Sequence, residues 1–342
     1  MIRFKQAGLT LIELMITMLL GLFITTMVSQ VFIRSNSSNI LNHQLSLMQE
    51  SARLAMNFIA KDVRMGGYTG CNKSTAIGNA LSSNTAINEW AVSEHLVQGL
   101  DQLNTINQVD PEAQSESLLI FKLNPDQTFY ITNHNTGSTT LTLDRNPGAI
   151  FPPGTAVGLT SQDCSQVALV AITNTNGNRV QHSTGSVGDF SNCFSQLRDS
   201  FRCYDSTSPG GSKNFAPGSL KSLRSVAYYI KPENGLPTLF RKTVGVDNPE
   251  PLVDGIEMIS IYYGLDTDAD GSAERFLNAG DRAFRHDDWH NITAIRIHLI
   301  TRSEIEVTTT PRDYYFDGLT LTPSDLFLRK EYVLTLALRN QG

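Results

Sequence analysis

From Leu14 to Ile33 the chain reads LMITMLLGLFITTMVSQVFI, a run of twenty residues without a charge. As a helix rising 1.5 Å per residue it is about 30 Å long, which matches the hydrocarbon core of a bilayer. Arg3 and Lys5 lie ahead of it with no acid between them. The positive-inside rule therefore predicts a cytoplasmic N-terminus and everything after about residue 34 on the other side. A secretory signal fits less well, because its apolar stretch is shorter and ends in a small-residue cleavage site. Met27-Val28-Ser29-Gln30-Val31-Phe32 offers no such site. The remainder is that of a globular protein. Of the 342 residues 40% are hydrophobic and 18% charged, enough to bury a core. A net charge of -6 argues against gripping nucleic acid by bulk electrostatics, so no direct nucleic-acid binding is predicted.

Glu13 sits at the cytoplasmic edge of the apolar run, flanked by Leu9, Leu11, Ile12 and Leu14. A carboxylate at membrane depth costs about 3 kcal/mol unless it is paired, so an acid there calls for a function. Cutting after Gly8 would expose an α-amine on Leu9, one helical turn before Glu13, in a medium where an ion pair gains strength. The acid could then neutralise its own amine or that of a neighbouring chain.

The order of basic leader, Gly8-Leu9-Thr10-Leu11-Ile12-Glu13 and apolar run resembles the class III signal of type IV pilins and pseudopilins. Leu9 stands where that family usually has phenylalanine. The resemblance implies cleavage by a prepilin peptidase between Gly8 and Leu9, N-methylation of Leu9, and Glu13 as the intramembrane assembly acid. The leader, residues 1–8, would leave with Arg3 and Lys5, making the mature chain more acidic.

The helical pattern continues past the apolar run. Leu41, Leu45, Met48, Ala52, Ala55 and Ile59 recur at spacings of three and four, with Leu47, Leu54 and Phe58 widening the stripe. Lys61 and Arg64 suit a helix C-terminus and Gly66-Gly67 its stop. The prediction is one helix over 9–66, membrane-spanning over 9–33 and amphipathic over 34–66. Short β-type runs follow: Leu118–Phe121, Thr128–Thr132, Thr139–Leu143, Val167–Ile172, Val226–Ile230, Ile256–Tyr263, Ile292–Thr301 and Tyr332–Leu338. The fold class is thus α+β, a long N-terminal helix feeding an antiparallel β-rich head over 67–342. The stretch at about 173–220 is rich in Asn, Ser, Gly and Thr and reads as an irregular excursion.

Cys71, Cys164, Cys193 and Cys203 are even in number and lie beyond the membrane run, where an oxidising periplasm permits disulfides. Three pairings exist. Cys193 and Cys203 are close in sequence, which leaves Cys71 for Cys164 and closes a loop worth about 4–5 kcal/mol. No Cys-x-x-Cys spacing supports the alternative of a zinc site.

Further segments resemble the PilW family of type IV pilus minor pilins. They are Ala52–Ala55 with Ile59–Cys71, Asp163-Cys164, Leu252–Glu257, Tyr263–Asp268 and Leu336–Asn340. The resemblance implies a pilin-like fold and a non-enzymatic subunit that primes pilus assembly at the tip, in service of twitching motility, adhesion or DNA uptake. Its partners would be other minor pilins, the major pilin, the prepilin peptidase and the inner-membrane assembly platform. It would reside in the inner membrane with a periplasmic head, then in the pilus. Two rivals are a minor pseudopilin of type II secretion and a membrane-anchored adhesive module.

Asp266-x-Asp268-x-Asp270-Gly271-x-x-Glu274 alternates carboxylates ahead of a glycine, a pattern that can turn oxygens toward a hard cation. Asp266, Asp268, Asp270 and Glu274 form a candidate calcium site, against the alternative of a solvated hairpin turn. Leu277 occupies the position where an EF-hand needs its glutamate, so any site is a shortened loop. His286-Asp287-Asp288-Trp289-His290 also offers metal-ligand types, but reads better as a loop entering a strand. No nucleophile elbow, His-Glu-x-x-His helix or phosphate-cradling loop is present, so no catalytic residue is assigned.

Overall fold

The computed structural model describes residues 10–71, 77–83, 97–100, 115–197, 203, 212–246, 248–284 and 286–338. A single helix, Leu11–Arg64, spans 54 residues, or about 80 Å. It ends where expected. Lys61 and Arg64 lie in its last turn, the Gly66 N–H donates to Val63 O at 2.9 Å, and Gly67 takes φ +72°.

The helix has two unlike halves. Every residue from Thr10 to Ile40 is exposed, whereas Gln44, Met48, Ala52, Ala55, Ile59, Ala60, Asp62 and Val63 are buried. The amphipathic stripe is therefore the seam to the head, though Leu54 departs from it. It is 41% exposed, because the head covers a narrower arc than the sequence stripe suggests.

Two sheets receive that seam. A five-stranded sheet has the order Glu250–Asp254, Leu236–Thr243, Val226–Glu233, Ser117–Ile120 and Val97–Leu100. A four-stranded antiparallel sheet has the order Arg275–Asn278, Ile256–Leu265, Ile292–Arg302 and Arg329–Ala337. Gly255, at φ +77°, is where the chain turns from one to the other. Its N–H donates to Pro237 O and its carbonyl accepts from the Arg302 N–H, each at 2.8 Å. One core joins the three parts. Ala52, Ala55, Ile59 and Val63 share it with Val226, Tyr228 and Leu239 of the first sheet and Ile259, Ile261, Ile295 and Leu299 of the second.

Strands Ser117–Ile120 and Val226–Glu233 are hydrogen-bonded neighbours, with Leu118 opposite Tyr228. The chain between them supplies seven strands of an eight-stranded sheet. Strands Leu123–Asn135, Thr140–Leu143, Ala156–Ser161, Val167–Ala171 and Gly218–Leu223 make most of it. Val167–Ala171 is buried at every residue and reads as an unbroken apolar run, as a strand covered on both faces must. Its Leu169 and Ala171 face a core shared with Tyr229 and Phe240, while Ala168 and Val170 face another with Phe129, Phe151 and Phe215.

Two expectations are corrected. The head is mostly but not wholly antiparallel, since Ile77–Asn79 pairs parallel with Val167–Leu169. The span 173–220 is more ordered than an irregular excursion. Asn174–Asn176 and Arg179–Gln181 extend the large sheet, and Gly185–Val187 and Phe190–Asn192 join Leu81–Ser83 in a three-stranded sheet. Of its described apolar residues, Val180, Phe190, Leu197, Phe215 and Leu220 are buried and Val187 and Phe194 half-buried, and Asn192 is enclosed as well. The Asn192 side chain exchanges hydrogen bonds with the backbone of Ala171 at 2.7 Å, so a polar composition is here a satisfied one.

Candidate functional site

Thr10 caps the helix. Its Oγ1 accepts from the Glu13 N–H at 3.3 Å, while Glu13 Oε2 accepts from the Thr10 N–H and hydroxyl at 2.9 Å each. This reciprocal pair satisfies backbone donors that open every helix. Glu13 is thus placed at the first turn by its own capping chemistry, independently of any amine partner. Gly8 and Leu9 lie outside the described residues. Beyond the cap, Thr17, Thr25 and Thr26 return their hydroxyls to carbonyls in the preceding turn. The helix is long and apolar enough to cross a membrane. Sixteen large apolar side chains between Leu11 and Ile33 have no cover from the head.

Asp62, only 4% exposed, locks the other end of the helix to the head. It is ion-paired with Lys122, accepts from Tyr228 Oη at 2.6 Å, and lies 3.7 Å from the Arg241 guanidinium. Arg241 in turn holds Glu250 at 2.7 Å. Burial, and then the Asp62 charge, push the Tyr228 phenol well above its usual range, so it remains a donor. The periodicity that marked Asp62 as a helical position carries no sign of these partners.

The disulfides join Cys71 to Cys164 and Cys193 to Cys203, the two pairs expected. The first ties the helix exit to the eight-stranded sheet, beside a backbone bond from Gly67 N–H to Phe121 O at 2.7 Å.

Asp266, Asp268, Asp270 and Glu274 come together, with one carboxylate oxygen from each within 4.8 Å of the others. The loop also holds its own acids. Asp266 accepts from the Ala269 and Gly271 amides at 2.7 and 2.8 Å, and Glu274 accepts from Thr267 N–H at 2.7 Å. Ala269 and Gly271 take the positive φ values this needs, +61° and +88°. Those amide bonds hold Asp266 ionised below its usual range. The oxygens are of the type and spacing calcium accepts. The His286–Asn291 segment is a 3-10 turn rather than an open loop. Its Trp289 packs on Tyr263 and Phe284 at ring distances of 4.8 and 4.6 Å. The side chains of His286, Asp287 and His290 lie outside the described residues.

An apolar anchoring helix with a capped acid at its tip, docked at its far end on a β-rich head, defines a pilin-class protein. The prokaryotic N-terminal methylation motif matches residues 3–29. The model of the type IV pilus-assembly protein W family, PilW, matches residues 227–340. Together the two matches support reading the chain as a PilW-family type IV pilin with a class III signal and a minor pilin role in pilus assembly. The PilW match falls on the two sheets that clasp the helix, while most of the eight-stranded sheet lies outside it. Among solved structures, a type IV-like pilin from Thermus thermophilus aligns over 88% of this chain and 98% of its own, at 12% identity and a TM-score of 0.31, a likeness too weak to bear on function. No curated protein sequence matches the chain.

Proposed function

We propose that this protein is a non-enzymatic structural subunit that primes type IV pilus assembly from the tip, together with other minor pilins. The observation that carries the reading is the bare helical half, from Thr10 to Ile40, which no described part of its own chain covers. Such a surface needs lipid before assembly and neighbouring helices after it. Gly21, with nothing within 4 Å of where a Cβ would stand, permits close helix approach there. The eight-stranded sheet makes the head bulky, which suits one terminal copy better than a repeated subunit. In this reading the prepilin peptidase cuts between Gly8 and Leu9 and the new amine is methylated. Glu13 leaves its capping bonds to pair with the amine of an adjacent pilin as the subunit enters the fibre.

Intact-mass analysis of the protein from native membranes tests the first step. The expected mass is that of a chain beginning at a methylated Leu9; an intact Met1 would overturn the subunit reading. Placement is tested by cross-linking in piliated cells. Adducts with other minor pilins at the fibre end are expected, and an even distribution along the fibre would remove the tip assignment.

A further inference from the structure

Strands Ala156–Ser161, Gly218–Leu223 and Leu123–Asn135 run side by side in the large sheet, with Thr160 opposite Ser219 and Ser219 opposite Tyr130. Their polar alternate positions share the sheet face that meets the helix exit at Tyr68–Gly70. The two surfaces border an open cavity of about 680 Å³ lined by Tyr68, Tyr130, Thr132, Gln162, Ser219 and Lys221, among others.

Lys221 sets this cavity apart. It is 5% exposed, yet among the described residues its only hydrogen-bond partner is the Ser219 hydroxyl, at 2.7 Å, and no carboxylate pairs with it. A buried cation without a counter-charge is unfavourable and normally acquires an acid during folding. The other lysine that is buried among the described residues, Lys242, donates to Val246 O at 2.7 Å. Gly70 makes the placement feasible. At φ +92° it sits where L side chains are rarely found, and a Cβ there would stand 2.6 Å from Lys221 Nζ, so the ammonium lies against bare backbone. Burial alone lowers the Lys221 pKa, as for a cation waiting for a partner.

The rest of the lining narrows the partner's chemistry. Tyr130, 60% exposed, offers a ring face at the rim, and Tyr68 offers another at the helix exit. Hydroxyls from Thr132 and Ser219 and the Gln162 amide supply neutral donors and acceptors. Rings with hydroxyl and amide groups suit a pyranose, whose faces are apolar and whose rim is polyhydroxylated. One buried ammonium then selects a single carboxylate. A nucleic-acid strand would call for several cations along a track, and the cavity has one.

We propose that this cavity binds an acidic sugar, with the carboxylate on Lys221 and the ring against Tyr130. The site lies outside residues 227–340, the span that matches the PilW model.

Saturation-transfer NMR on the full-length protein in phosphatidylcholine nanodiscs tests it, with D-glucuronate and N-acetylneuraminate as probes and D-glucose as the neutral control. At about 10 mM sugar, one or both acids give transfer and glucose gives at least about tenfold less. The acid that binds tells a uronate-bearing polysaccharide from a sialylated glycan. Lys221→Met removes the charge at nearly constant volume. It weakens acid binding about tenfold to a hundredfold, as loss of a charge-assisted bond does, while the melting temperature holds or rises. Should that variant fail to fold, Tyr130→Ala, at an exposed position, carries the test and lowers affinity with unchanged melting. No transfer from either acid, equal transfer from glucose, acid binding unchanged in both variants, or transfer only from a single-stranded oligodeoxynucleotide each overturns the proposal.

Discussion

Tyr228 donates its phenolic hydrogen to Asp62 at 2.6 Å, across 166 residues of sequence, and by that bond fixes the end of the helix to the central strand of a sheet. The same hydroxyl lies 3.1 Å from Phe58 O, so the contact reads both the helix backbone and its acid. Asp62 also carries the Lys122 and Arg241 charges, so its removal strands cations as well as a phenol. Asp62→Ala is expected to destabilise the head by about 3–5 kcal/mol, the usual cost of breaking a buried ion pair from one side. Replacing Asp62 and Lys122 together by Leu and Met should recover most of that loss. Denaturant unfolding of the full-length protein followed by tryptophan fluorescence measures both.

The helix tip supplies a sharper test of Glu13. Glu13→Gln keeps an oxygen for the Thr10 N–H and hydroxyl, so the cap survives, but it cannot neutralise an amine. If Glu13 serves assembly through its charge, Glu13→Gln is processed normally yet fails to restore piliation to a null strain, as does Glu13→Ala. Full restoration by the glutamine variant, counted by electron microscopy, would reduce Glu13 to a capping residue.

Stability depends on pH through two buried features with opposite signs. His134 and His182 touch at 3.4 Å between their Nε2 atoms, and burial lowers their pKa values to about 4 and about 3. His182 loses further through His134, and its Nδ1 has no hydrogen-bond partner among the described residues. Folding therefore favours the neutral rings, and their contribution is present above pH 6.5 and lost as pH falls toward 4 and then 3. Glu116 behaves in reverse. Burial raises its carboxyl to about 7, against the hydrogen bonds from Asn278 and the Ile261 N–H, so its contribution is present below pH 4.5 and lost as pH rises through 7. Glu116→Gln is expected to flatten the fall in melting temperature between pH 4.5 and 7, leaving the acid-side fall in place. His182→Leu should reduce the acid-side fall. Thermal unfolding across pH 3–8 reads both, at about 1.4 kcal/mol per pH step for each proton gained or lost.

The two disulfides should differ in weight. Cys71–Cys164 closes a separation of 93 residues and Cys193–Cys203 one of 10. On the chain-entropy model Cys71→Ser with Cys164→Ser costs about 4–5 kcal/mol, and the second pair about 3. Calorimetry under oxidising conditions ranks them, and a larger loss from the shorter loop would contradict the entropic account.

Calcium at the Asp266–Glu274 loop is a direct measurement. A loop that binds the ion raises the melting temperature at millimolar calcium, and Asp268→Ala or added chelator abolishes the rise. Absence of any rise leaves the four acids as a hairpin turn held by its own amides.

What the sequence determined by itself is whatever is written in short-range pattern. The charge-free length from Leu14 to Ile33, the stripe from Leu41 to Ile59, the stop at Gly66-Gly67 and the alternation of Ile295, Ile297 and Leu299 each act through neighbours within a few residues, so composition and spacing suffice. The cap on Thr10 belongs to the same class: Glu13 stood out as an acid at the membrane edge, and its three-residue reach to Thr10 is local. Tertiary structure decided the rest. Nothing near Asp62 announces Lys122, Tyr228 and Arg241, which meet it only because two sheets close over the helix. Strand Ser117–Ile120 bonds directly to Val226–Glu233, leaving the sheet between them as an insertion that no periodicity reveals. The Asn-rich stretch before Asn192 looked irregular because its order comes from distant backbone groups such as those of Ala171, not from apolar alternation. Pairing energies between residues far apart in sequence become available only once the chain has closed on itself, so local pattern does not record them.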